Sequence, residues 1–96
     1  MNRTALFPGS FDPVTIGHVD IVNRSLSLFD NIVIGIGVNS SKKSMYSTEK
    51  RKEWLGKVFE DKEKVSVKQY EGLTVDFCNE IGAKFILIGL RTAADL

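Results

Sequence analysis

The residues with the most chemical potential lie between positions 6 and 22, in LFPGSFDPVTIGHVDIV. His18, the only histidine in the chain, follows Gly17 where a helical pattern of apolar residues begins. Pro8, Gly9 and Ser10 directly follow a short apolar run, Thr4 to Phe7. Free N–H groups at a helix N-terminus favour anions, and a glycine there lets a phosphate come close to the backbone. A histidine in the first turn can donate a hydrogen bond to that phosphate, and Ser10 supplies a second donor. In phosphoryl or nucleotidyl transfer, such donors meet the charge that develops on the phosphorus oxygens. The same residues also suit an ordinary turn beside a surface histidine, because turn formers cluster at strand ends. Composition alone leaves both readings open.

The elements that must position these residues show in the switching apolar period. Thr4 to Phe7, ended by Pro8 and Gly9, reads as a strand. From His18, residues Val19, Val22, Leu26 and Phe29 recur at helical spacing, with Ile21 and Leu28 widening the stripe. Ile32 to Val38 is nearly all apolar, as in a parallel strand covered on both faces. NSSKKSMYS, residues 39 to 47, is a polar loop. Ser47 suits the N-cap of a second helix, with Glu49 in its first turn. Its expected buried face carries Trp54, Leu55, Val58 and Phe59, with Trp54 and Phe59 packing it onto the sheet. Val65 to Gln69 alternates as a third strand. Leu73, Phe77 and Ile81 make a third helical stripe, stopped by Gly82. Phe85 to Ile88 is a fourth, fully apolar strand.

Strands alternating with helices predict an α/β fold, a Rossmann-like doubly wound parallel sheet in one domain spanning residues 1–96. Ligands of such sheets bind beyond the carboxyl ends of the strands. That directs attention to the loops after Phe7, Val38, Gln69 and Ile88. The net charge of +1 gives no global field toward nucleic acid or membrane, and no apolar run approaches the ~18 residues a bilayer span needs. Cys78 is the only cysteine, so no internal disulfide or multi-cysteine metal site forms, and a small buried group is the expected role. A soluble cytoplasmic protein is the expectation. Asp12 reads as a loop brace or a magnesium contact. Gly35 and Gly37 lie inside a strand, so close helix packing is expected there and not a dinucleotide fingerprint.

Gly-Ser-Phe-Asp-Pro followed by Thr15-Ile16-Gly17-His18 resembles the first signature block of the nucleotidyltransferase superfamily, [His/Thr]-x-Gly-His. The version with threonine first is similar to the bacterial phosphopantetheine adenylyltransferases. Ser41-Lys42-Lys43 after the second strand and Gly89-Leu90-Arg91 after the fourth extend the likeness over the whole chain. The resemblance implies transfer of AMP from ATP to 4′-phosphopantetheine, giving dephospho-coenzyme A and pyrophosphate on the route to coenzyme A. It implies no covalent enzyme intermediate, and magnesium bound with ATP. It implies that His18 stabilises the α-phosphate in the transition state. Ser10 and Lys42 would hold the phosphopantetheine phosphate, and Thr74 would line the pantetheine arm. Ser10, Phe11, His18, Gly89, Leu90 and Arg91 would contact ATP. A homohexamer is the assembly it implies.

Two departures stand out. Ile88 occupies the position where the family carries an arginine that holds the acceptor phosphate, and isoleucine offers neither charge nor donor. Weakened acceptor affinity is expected. The chain ends at Leu96, before the family's Ser-rich ATP-binding block, so it reads as the N-terminal part of the domain. The alternatives are a catalytically incomplete module binding nucleotide or coenzyme A, and a cytidylyl or nicotinamide-nucleotide transferase. Enzymes of the latter kind generally have histidine at the position of Thr15.

Overall fold

The computed structural model describes residues 3–38 and 43–89. Four strands and three helices alternate: β1 (Thr4–Gly9), α1 (Ile16–Ser25), β2 (Asn31–Gly37), α2 (Thr48–Val58), β3 (Val65–Tyr70), α3 (Thr74–Ile81) and β4 (Phe85–Ile86). The strands form one sheet in the order β3-β2-β1-β4, with every pairing parallel. Chain order thus moves outward from β1 to β3 and then returns to β4 on the other side of β1. The doubly wound expectation holds, and the direction reverses between β1 and β4.

The two-residue period of the strands divides the core between the faces. Ala5, Phe7, Ile32, Ile34 and Ile36 face α1 and α2, where they meet Val22, Leu55 and Phe59. Leu6 and Val33 face α3, where they meet Phe77, Cys78 and Ala83. Cys78 is buried as expected. Gly35 is the α3-face residue of β2 after Val33. A Cβ there would lie 2.8 Å from Leu6, 3.1 Å from Tyr70 and 3.3 Å from Phe77. The Tyr70 and Phe77 rings stack at 4.4 Å and occupy that space, so close packing is the reason for this glycine.

Several expectations need correction. β1 continues through Pro8 and Gly9 although proline lacks an N–H. Leu6 accepts a hydrogen bond from the Leu87 N–H at 2.8 Å, so its peptide faces β4. Pro8, two residues on, faces the same side but lies past the last paired position, Leu6 with Ile86. The missing donor therefore costs no ladder bond. α1 starts at Ile16, not at His18. Leu28 is exposed. On α2, Val58 is exposed and Arg51 is buried in its stead. Trp54 packs edge-on against Tyr46 at 4.8 Å, while Phe59 alone enters the core. Leu73 is the N-cap of α3 and is exposed. β4 is only two residues long, with Phe85 and Ile86 half-exposed and Ile88 75% exposed. It is not covered on both faces among the described residues. No described helix is long and apolar enough to cross a membrane.

Gly35→Ala should destabilise the protein by about 1–3 kcal/mol, because the added methyl overpacks a filled site. Urea unfolding measures this. An unchanged midpoint would show that Leu6 and Tyr70 shift without cost.

Candidate functional site

The end of β1 enters its loop through an unusual residue. Phe11 has φ 48°, left-handed backbone that a bulky side chain rarely adopts. Its ring is 2% exposed and meets Phe7 edge-on at 5.3 Å. A Cβ on Gly9 would come within 3.1 Å of that ring, so Gly9 leaves the space the ring uses. The His18 ring lies on the same aromatic pair, 4.7 Å from Phe11 and 6.0 Å from Phe7.

His18 is held from its other edge by the helix cap. Thr15 is the N-cap of α1 and His18 is the third helical residue. The Thr15 hydroxyl accepts from the His18 N–H at 3.4 Å. The Thr15 N–H donates to His18 Nδ1 at 2.9 Å, and Thr15 Oγ1 lies 3.1 Å from the same nitrogen. This is a capping box in which histidine takes the place usually held by glutamate or glutamine. Because Nδ1 accepts from the backbone, the proton of the neutral ring belongs on Nε2. The cap therefore selects the tautomer as well as starting the helix.

Two ties join this loop to the loop after β2. Asp12 accepts from the N–H of Met45 and, at 2.7 Å, from that of Tyr46. Asp12 is thus a loop brace. Arg51 donates to the Ser10 carbonyl at 2.8 Å, to Thr48 Oγ1 at 3.0 Å and to the Ser47 carbonyl at 3.4 Å. Ser47 meanwhile caps α2 by accepting from the Lys50 N–H, as its type predicts. Between the ties lies a cavity of about 520 Å³ beyond the ends of β1, β2 and β3. Ser10, Asp12, Lys43, Arg51, Tyr70 and Gly72 are among its lining residues.

Ser10 and His18 are therefore brought to one loop in different settings. Ser10 lines the cavity, whereas His18 stands against Phe11 at the start of α1. Thr74 is not in the cavity lining; its hydroxyl pairs at 2.9 Å with the hydroxyl of Tyr70, which is. Gly89 passes close to α1, where a Cβ would collide with Ile21 Cδ1. Lys42, Leu90 and Arg91 lie outside the described residues.

Sequence reasoning missed Arg51, Lys43 and Tyr70 as parts of the site. Arg51 had a readable signal: it precedes Leu55 and Phe59 at four-residue steps, a cation on the apolar stripe of α2. The tie between Thr15 and His18 was likewise legible in their spacing of three. Tyr70 carried no such signal, because its placement depends on the glycines opposite it in β2.

A family model described as Cytidylyltransferase-like matches residues 6–96. The chain is 58% identical over 93 residues to a protein of Flavobacterium psychrophilum named phosphopantetheine adenylyltransferase. That match covers 97% of this chain and 62% of the relative. A protein of Leptospira biflexa with the same name is 47% identical over 95 residues, covering 99% of this chain and 59% of the relative. The chain thus spans about three fifths of the length of these relatives. Among solved structures, a lipopolysaccharide core biosynthesis protein from Thermoplasma volcanium superposes with a TM-score of 0.66 at 17% identity. That match covers 88% of this chain and 71% of the other, and it bears on the fold alone.

Thr15→Val should lower stability by about 0.5–2 kcal/mol, the usual cost of losing a helix cap. Urea unfolding reads the loss. Full stability in the variant would mean that the hydroxyl does not cap α1.

Proposed function

The chain belongs to the cytidylyltransferase-like family, and from that premise we propose that it transfers AMP from ATP to 4′-phosphopantetheine. The products are dephospho-coenzyme A and pyrophosphate. The observation that carries this reading is the Thr15–His18 box, which puts the neutral ring's proton on Nε2 at the first turn of α1. A donor fixed there suits an α-phosphate whose charge grows during transfer. The names borne by the relatives support the choice of acceptor.

In this reading a phosphate oxygen of the acceptor attacks the α-phosphorus of ATP. The bond from that phosphorus to the oxygen bridging to the β-phosphate breaks, and pyrophosphate leaves with the electron pair. His18 donates to a non-bridging oxygen of the α-phosphate. Ser10 and Lys42 hold the acceptor phosphate, and the pantetheine arm follows the cavity past Tyr70, whose hydroxyl pairs with that of Thr74. On the same resemblance, Phe11, Gly89, Leu90 and Arg91 contact ATP. The protein contributes positioning and charge stabilisation, with no covalent intermediate. Magnesium arriving with ATP would supply charge neutralisation; Asp12 is committed to two backbone N–H groups, so we assign the ion no protein ligand. On the same resemblance, the working form is a homohexamer in the cytoplasm.

Pyrophosphate release by the chain with ATP, magnesium and 4′-phosphopantetheine tests this reading. Turnover is expected, and His18→Ala should lower it by about 10²–10³-fold, the usual loss for one transition-state donor. Undiminished turnover in the variant would remove His18 from the chemistry. Binding of ATP and dephospho-coenzyme A without any turnover would support a nucleotide- and coenzyme A-binding module instead.

A further inference from the structure

Arg51 is 5% exposed, and its guanidinium carries a positive charge. Burying such a charge is costly unless an opposite charge or strong hydrogen bonds compensate it. Its three partners, the Ser10 carbonyl, the Ser47 carbonyl and Thr48 Oγ1, are all neutral oxygens. Among the described residues the ion pairs are Arg24 with Asp20, Lys57 with Glu53 and Lys62 with Asp61, and none involves Arg51. Among the described residues Asp12 is the only carboxylate lining the same cavity, and its two oxygens accept from Met45 and Tyr46. The guanidinium has five N–H donors, of which these bonds place three. Lys43 adds a second positive charge to the cavity wall.

The charge of this cavity is thus unbalanced by the described protein groups, and the imbalance is centred on a rigid, buried fork. We propose that Arg51 is the fixed positive charge of a phosphate subsite in this cavity. It acts in two ways. It holds the Ser10 carbonyl, which orients the loop that presents the Ser10 hydroxyl. It also leaves two N–H donors and a full charge for an incoming phosphate. A planar fork suits phosphate recognition. The assignment rests on reading the cavity as the acceptor's place, and it gives a physical answer to Ile88, whose exposed side chain offers the phosphate nothing. The shared chemistry is a phosphate monoester dianion, whether free or carried on the acceptor.

The test follows the Arg51 Nε–Hε resonance of the unmodified protein by NMR during titration with inorganic phosphate, 4′-phosphopantetheine and pantetheine. The two phosphate-bearing probes should shift the resonance, and pantetheine should not. A resonance that stays in place at saturating phosphate and phosphopantetheine overturns the proposal. If inorganic phosphate shifts it while phosphopantetheine binds no better than pantetheine, the subsite stands and the acceptor assignment falls. Calorimetry on Arg51→Gln supplies the second reading. Its affinity for phosphopantetheine should fall at least about tenfold, the scale of a lost charge-assisted bond, with pantetheine affinity unchanged. Arg51→Lys, which keeps the charge but not the fork, should recover only part of the loss. Equal losses for both ligands in Arg51→Gln would mark a mere brace and overturn the proposal. Should Arg51→Gln not fold, the titration of the unmodified protein decides alone.

Discussion

Phe11 combines a left-handed backbone with a fully buried aromatic ring, and the site is arranged around that combination. Such a conformation costs about 1–3 kcal/mol at a non-glycine residue and persists only where the surroundings over-determine it. Here the ring is enclosed by Phe7, His18 and the space left at Gly9. The preceding carbonyl, on Ser10, is pinned by Arg51. Burial of the ring opposes the local strain, and the left-handed turn aims the chain from the sheet into the loop.

The fold explains why two kinds of ligand can meet at this loop. β1 has parallel neighbours on both sides, and the chain's direction reverses between β1 and β4. The loop after β1 therefore borders two regions. Toward β2 and β3 it closes the cavity with Lys43, Arg51 and Tyr70. Toward α1 it carries His18, and Gly89 approaches α1 at Ile21. An acceptor on one side and a nucleotide on the other would have their reacting groups converge at Ser10 and His18. The backbone ties from Asp12 to residues 45 and 46 and from Arg51 to Ser10 make the two loops one unit. Transfer between two bound substrates needs that rigidity, since its rate depends on alignment.

Much of this was legible in the residues themselves. The alternating periods gave the order of strands and helices, and Pro-Gly-Ser and Gly-His marked the loop that matters. Gly82 stopped α3 in left-handed backbone, φ 74°, as a glycine at a helix end suggests. What was not legible depends on contacts between distant parts of the chain. Arg51 was not read as part of the site, because its partner there is a carbonyl 41 residues away, although its place on the apolar stripe of α2 was visible. Pro8 was taken as the end of β1 because the shortness of β4, which spares it, is a property of the partner strand. Leu73 and Val58 matched apolar stripes but lie beyond the area the sheet covers. Periodicity shows which side of a helix is apolar, and only the packed sheet decides how much of that side is used.

The most direct measurement is formation of the nucleotidylated product from 4′-phosphopantetheine with ATP and with CTP, side by side on the same preparation. The account requires dephospho-coenzyme A from ATP and far slower product formation from CTP. Preference for CTP would contradict it, and so would the absence of any product from ATP when the acceptor is shown to bind.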